Sequence, residues 1–178
     1  MGAFSIFAQT FSTSPYSIYG AGTMQEHLSG LNTSMGGTGI GVQESFNLNH
    51  INPASYGSIT QPVSHIFEIG LYATSNRLST FNASESKPSG GLSHLDYWFR
   101  FKPWWTSSIG LSPFSSVSYD VVTQRELGGS SISYNYHGSG NINALTFGNA
   151  FRLRENLSLG INVSFLFGAI TKNETLDL

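Results

Sequence analysis

The chain has 178 residues, a net charge of −2 and no cysteine, and only 10% of its residues are charged. Soluble domains carry about 25% charged residues, whereas here 28 Ser, 13 Thr and 13 Asn supply most of the polarity. The absence of cysteine excludes disulfides, thiolate chemistry and Cys-based zinc sites. The eight Lys and Arg are scattered from Arg77 onward. Without a basic stripe to neutralise phosphates, we expect no nucleic-acid binding.

The sequence contains no run of 18 apolar residues, so it predicts no transmembrane helix. Aromatic residues make up 13% of the chain and there are 20 glycines. This mixture of aromatic, glycine and uncharged polar residues is typical of transmembrane β-barrels, whose strands are only half apolar.

The first 62 residues lack strand periodicity. Residues 1–9 are apolar and end in small residues, so we expect the remnant of a signal peptide there, with a disordered N-terminus as the alternative. Residues 10–62 are rich in Gly and Pro. A structureless segment of this length is unusual in a compact domain, so we interpret residues 10–62 as a plug enclosed by the rest of the chain.

From residue 63 the hydrophobic period changes to two. In Leu157–Ala169 all seven odd positions are apolar, and most even positions are small or polar. This pattern indicates strands. Alternation is also present in Val63–Ala73 and Gly91–Phe101, and more weakly in Trp105–Leu111, Ser115–Arg125, Ser131–His137 and Asn141–Arg152.

The predicted fold is therefore all-β. We expect residues 63–178 to form part of an antiparallel transmembrane β-barrel, with six or seven strands of roughly ten residues. Asn76–Gly90 is predicted to be a surface loop. A soluble sandwich would carry more charge on its outward face. Aromatic residues near the predicted strand ends suit an interfacial girdle, with core packing as the alternative: Tyr97, Trp98, Trp104, Trp105 and Phe151.

Several charged side chains fall on the polar face of the predicted strands, where a wet barrel interior tolerates them. They form a candidate lumenal charge ladder: Glu68, His94, Asp96, Arg100 and Lys102. His65 lies on the apolar face near a strand end, where it is more readily explained by snorkelling than by metal binding. The histidines are not spaced as metal ligands and no G-x-S-x-G motif is present. We expect no metal, no cofactor and no enzymatic activity.

Two prolines mark further candidate sites. Pro53 keeps Asn52 out of the helical region, so that the Asn52 amide can satisfy loop carbonyls. The tripeptide is either a hatch element or a plain Asx-Pro turn. Pro113 interrupts an alternating region and marks a bulge, an edge or a turn.

The segment 35–55 contains a glycine cluster (Gly36, Gly37, Gly39) followed by Asn52-Pro53-Ala54, just before the first predicted strand. This arrangement resembles the plug of the FadL/TodX-type outer-membrane transport family. Segments 107–119 and 156–168 are similar to barrel strands of that family. The resemblance implies the N-terminal part of a longer, plugged barrel. It also implies a lateral opening in the wall, for which Gly110 and Pro113 are the candidates, unless Pro113 simply lies in a turn between shorter strands.

The first functional hypothesis is an outer-membrane barrel of a Gram-negative bacterium that passes hydrophobic small molecules, such as long-chain fatty acids, by passive diffusion. The second is a barrel that serves as a structural or secretion-machinery component and binds other outer-membrane proteins. A transporter needs a continuous apolar pocket, whereas a scaffold does not. The third is a secreted, adhesin-like β-sandwich. The first two hypotheses imply the lipid bilayer as a partner.

Overall fold

The computed structural model describes residues 14–26, 28–59, 62–79, 84–127 and 130–177. The described part of the chain starts with short elements: a 3-10 helix (η1, Pro15–Ile18), strand β1 (Thr23–Met24), helix α1 (Gly30–Ser34) and a second 3-10 helix (η2, Pro53–Ser58). Longer strands follow: β2 (His65–Ser79), β3 (Ser84–Lys102), β4 (Trp105–Leu127), β5 (Ser130–Arg154) and β6 (Leu157–Asp177). No helix in these ranges is long and apolar enough to cross a membrane. The predicted signal remnant, residues 1–9, lies outside the described residues.

The described strands form an antiparallel sheet in the order β2-β3-β4-β5-β6, with β1 added to β4. This confirms the all-β, antiparallel prediction. Two connections are two-residue turns, Pro103-Trp104 and Glu155-Asn156, and both lie at the same end of the sheet, which we call the tight-turn end. Within the described residues, β2 and β6 occupy opposite edges of the sheet and are not paired with each other.

The strands are longer than predicted, since β2 has 15 residues and β5 has 25. Residues 105–127 are one strand, and so are residues 130–154, where two strands each were expected. The predicted loop over Asn76–Gly90 was wrong, because residues 76–79 and 84–90 continue the β2–β3 ladder. Pairing satisfies backbone groups whatever the side chains are, and a segment that is wet on both faces shows no hydrophobic alternation.

Side chains alternate between two faces of the sheet. On the outer face, Phe67, Leu71, Ile161 and Phe165 are 57–77% exposed. The opposite face carries small and polar side chains and lies beneath residues 14–59, which we call the N-terminal segment. On this covered face Trp98 is 0% exposed. Trp98 was therefore wrongly assigned to the aromatic girdle: it occupies an even position of β3, so it packs in the core.

The sheet splits beyond Leu111. Strand β3 pairs with β4 only between Leu95↔Leu111 and Lys102↔Trp105, and its remaining part pairs with β2. Beside the split, β1 pairs with β4 at Thr23↔Ser116, and the Gln25 amide donates to the Phe114 carbonyl at 2.9 Å. The N-terminal segment thus supplies partners to a β4 edge that β3 has left.

Candidate functional site

The N-terminal segment is held in shape by local caps. Ser29 caps α1 by accepting from the Asn32 amide. Gly36 and Gly37 follow the helix with φ values of +69° and +82°, which glycine adopts without strain. The Gly37 amide donates to the Asn32 carbonyl at 2.8 Å. The two predicted plug glycines therefore end a helix and turn the chain.

Asn52 caps η2 and ties it to a loop. Its Oδ1 accepts from the Ala54 amide at 3.2 Å, and its Nδ2 donates to the Ile40 carbonyl at 2.8 Å. Pro53 occupies the start of the helix, where no N–H is needed. The Asx-Pro turn and the satisfied loop carbonyl occur together, and movement of this element as a hatch stays a prediction.

Glycines of β5 and β6 provide the surface on which η2 sits. A Cβ on Gly160 would overlap with the backbone of Pro53 and Ala54. A Cβ on Gly148 would lie 2.6 Å from Cε2 of Tyr56. Such close approach of a second backbone or ring is a common reason for glycine inside a strand. These two glycines therefore position η2 against the covered face.

A hydrogen-bonded line of side chains joins η2 to the sheet. The Tyr56 hydroxyl lies 3.0 Å from His50 Nδ1, and His50 Nε2 lies 3.0 Å from Asp96 Oδ2. The Asp96 and His50 side chains are 0% and 6% exposed. Because a carboxylate accepts, His50 Nε2 is the donor to Asp96. In addition, the Asn162 side chain of β6 donates to the His50 backbone carbonyl at 3.0 Å. The contacts of His50 with Asp96 and Asn162 therefore tie the loop before η2 to both β3 and β6.

Burial raises the pKa of Tyr56 from its usual 10.0 to about 12, against a hydrogen bond with Ser108 that lowers it. The hydroxyl therefore keeps its proton at neutral pH. In the unfolded chain the same group ionises near pH 10. Its contribution to stability is complete below pH 10 and is lost as the pH rises towards 12.

We therefore expect the free energy of unfolding to fall by roughly 2–3 kcal/mol between pH 10 and 12 through this group. Tyr56→Phe has no hydroxyl to ionise, so its free energy of unfolding should not show this fall between pH 10 and 12. The measurement is denaturant unfolding of the detergent-solubilised protein at a series of alkaline pH values. Tyr16→Phe, at an exposed tyrosine of the same segment, is the control. An unchanged alkaline loss in Tyr56→Phe would contradict the assignment.

Two arginines fasten the other end of η2. Arg100 donates to the Ile59 carbonyl and Arg152 donates to the Gly57 carbonyl. Arg100 also lies over the Trp98 ring, 5.4 Å from its centroid. The side chains of Trp98, Leu48, Tyr56, Ile59 and Ala150 form the buried apolar cluster between segment and sheet. The covered face thus combines a small apolar core with charged and polar anchors.

The structure separates the predicted charge ladder into different environments. His94 Nε2 lies 3.2 Å from Glu68 Oε1, and Asp96 contacts His50. Arg100 contacts η2, whereas Lys102 is exposed with its Nζ 5.6 Å from the Trp104 ring centroid. His65 contacts the Tyr97 hydroxyl at 2.8 Å. In the described ranges, no three His, Asp or Glu side chains are placed to hold a metal ion.

Gly110 and Pro113 lie where the sheet splits. Pro113 is buried inside β4, so it does not lie in a turn, and the β4–β5 register shifts between Pro113 and Ser115. A cavity of about 400 Å³ adjoins Pro113 on the covered face, and one of about 270 Å³ adjoins it near Leu111 and Phe167. The larger cavity has a mixed lining that includes Gln25, His50, Thr146, Asn162, Phe114 and Leu166. A lateral opening at this place stays a prediction.

Sequence reasoning missed the residues that hold η2: His50, Tyr56, Arg152, Asn162, Gly148 and Gly160. Only the glycines carried a usable signal, because they recur at even positions of strands whose odd positions are apolar. His50 and Tyr56 lie in an irregular segment, where no periodicity indicates which side chains face the sheet.

The geometry defines an antiparallel sheet with an apolar outer face and a polar face covered by its own N-terminal segment. The BamG family model matches residues 1–178, so the chain belongs to the BamG family. No curated protein and no solved structure matches it. The match overturns the resemblance to the FadL/TodX family, which rested on a short glycine cluster, one tripeptide and the strand-like segments 107–119 and 156–168. Membership associates the chain with the outer membrane of Gram-negative bacteria.

Proposed function

We propose that the chain forms part of the wall of an outer-membrane β-barrel, with the N-terminal segment as its plug, and acts as a structural component of the Bam complex. The observation that carries this proposal is the inverted polarity of the sheet. Large apolar side chains cover the outer face, whereas Asp96, Arg100 and His94 lie on the face beneath the segment.

This polarity suits lipid on the outer face. A lipid-facing wall needs apolar side chains outside and tolerates charge inside. A secreted sandwich would need a second sheet over Phe165 and its neighbours, and the described residues form a single sheet. In the proposed wall the free edges of β2 and β6 pair with further strands, because unpaired backbone groups are costly in lipid.

A structural role fits the covered face better than passive diffusion does. The segment is fixed by partly buried hydrogen bonds to β3, β5 and β6 through Asp96, Arg152 and Asn162. The cavity beside Pro113 has polar side chains among its lining, whereas a hydrophobic ligand needs a continuous apolar path. The family to which the chain belongs bears the name of the Bam complex, and the diffusion hypothesis came from the resemblance that this family replaces.

The test is affinity purification of the full protein from outer membranes of its own bacterium in mild detergent. We expect Bam proteins to co-purify in amounts comparable to the tagged protein, as quantified by mass spectrometry. A tagged, unrelated barrel of similar abundance is the control. Depletion of the protein should lower the amounts of other outer-membrane barrels.

Recovery of the protein without Bam proteins would contradict the proposal. So would a depletion strain whose only defect is the uptake of hydrophobic compounds, because that result supports diffusion. Release from membranes without detergent would contradict the membrane wall itself.

A further inference from the structure

Aromatic rings cluster on the outer face at the tight-turn end. Phe101 lies 4.6 Å from Phe99 and 4.5 Å from Trp105, and Phe151 lies 6.0 Å from Trp105, between ring centroids. Trp104, in the turn, is 50% exposed. The Trp105 indole donates to Asn149 Oδ1 at 3.1 Å, so it keeps a partner even where water is scarce. Rings of this kind are enriched at membrane–water interfaces.

The same end carries half of the basic residues of the chain. Four of the eight Lys and Arg lie there, namely Arg100, Lys102, Arg152 and Arg154. Arg100 and Arg152 are engaged with η2, whereas Lys102 and Arg154 are exposed. Glu155, in the adjacent turn, is the exposed acidic residue beside them. An exposed cation beside aromatic rings is suited to an anionic headgroup.

The apolar band starts at this end and has the height of a bilayer core. On β6 the outward side chains are apolar from Leu157 to Phe167. These eleven positions extend about 36 Å along the strand, which corresponds to about 25 Å of height at the usual tilt. Beyond them, from Thr171 to Thr175, the strand is polar. The two-residue turns therefore lie just outside one boundary of the band.

We infer that the tight-turn end lies in the headgroup layer of an anionic phospholipid leaflet, where Lys102 and Arg154 bind lipid phosphates. The inference rests on the proposed membrane wall. It adds which leaflet the tight-turn end contacts and which side chains make that contact. Short turns face the periplasm in outer-membrane barrels, so the leaflet is the periplasmic one.

The test uses the full protein in mixed vesicles and the fluorescence of Trp104 and Trp105, with Trp98→Phe removing the signal of the covered face. Brominated phosphatidylglycerol and brominated phosphatidylcholine are compared as quenchers, which gives the relative affinity of the tight-turn end for the anionic lipid. We expect phosphatidylglycerol to be preferred. Lys102→Gln and Arg154→Gln should each reduce the preference by up to about fivefold. Arg77→Gln, at the opposite end of β2, is the matched control.

Equal quenching by the two lipids, or a preference that survives both substitutions and the charge reversal Lys102→Glu, would overturn the inference while leaving the membrane wall intact. Quenching by neither lipid would show that something other than lipid covers the outer face, and would overturn the wall and the inference together. If Arg77→Gln also abolished the preference for phosphatidylglycerol, the preference would arise from the overall charge of the protein, and the role of Lys102 and Arg154 at the tight-turn end would be overturned.

Discussion

Gly160→Val is expected to lift η2 from the sheet. The new Cβ would overlap with backbone atoms of Pro53 and Ala54, which cannot turn aside as a flexible side chain can. Overpacking of a tight contact costs about 1–3 kcal/mol, and more when a backbone must move. A loss of roughly 3 kcal/mol in the local closing free energy makes the open state more than 100-fold more populated.

The measurement is chymotryptic cleavage after Leu48 and Tyr56, which are 0% exposed and so are reached only when the segment opens. We expect these cuts to accelerate by about two orders of magnitude in Gly160→Val. The matched control is Gly41→Val in the same segment, since a Cβ there meets nothing within 4 Å. Equal cleavage rates in the two variants would show that η2 does not depend on contact with β6.

Asp96→Asn is expected to be the most damaging change of a polar group. The carboxylate is buried and accepts from His50, whose other ring nitrogen meets Tyr56. Asparagine keeps the shape but loses the charge and brings a second donor into a site built around an acceptor. Removing one partner of a buried pair of this kind costs about 2–4 kcal/mol.

Denaturant unfolding in detergent and the same chymotryptic assay measure the effect. Asp120→Asn, at an exposed position of β4, is the control and should change stability by less than about 0.5 kcal/mol. In a double-mutant cycle with Tyr56→Phe, the effects should not add, because the two groups share His50. Additive effects would mean that the three side chains do not act as one unit.

The sheet could be predicted from the sequence wherever one face was apolar and the other was not. In Leu157–Ala169 the apolar side chains occupy every odd position, which leaves a clear period of two, and the structure places a strand there. Outside the apolar band that contrast disappears. Residues 84–90 pair in the sheet although they are polar or small on both faces, so no pattern of hydrophobicity could indicate them.

The structure of the N-terminal segment was harder to predict from the sequence. Its composition indicated an irregular structure, and caps such as Asn52-Pro53 could be located from local chemistry. The partners of His50 and Tyr56 are 46 and 6 residues away along the chain, and nothing local specifies the first of them. Tertiary hydrogen bonds between an irregular segment and a sheet depend on the three-dimensional path of the chain, which periodicity does not encode.

The length of β4 and β5 has one more consequence. In the ladder, Phe167 at the end of the apolar band is level with Asn143 and Pro113. From Pro113 to the end of the strand at Leu127, β4 continues for about 46 Å along the strand, which is roughly 33 Å of height at the tilt of a barrel strand. With the band in the lipid, the tip of the hairpin stands well clear of the cell surface. In the proposed wall, the length of the hairpin beyond the band sets how far from the bilayer a protein that binds this tip would lie.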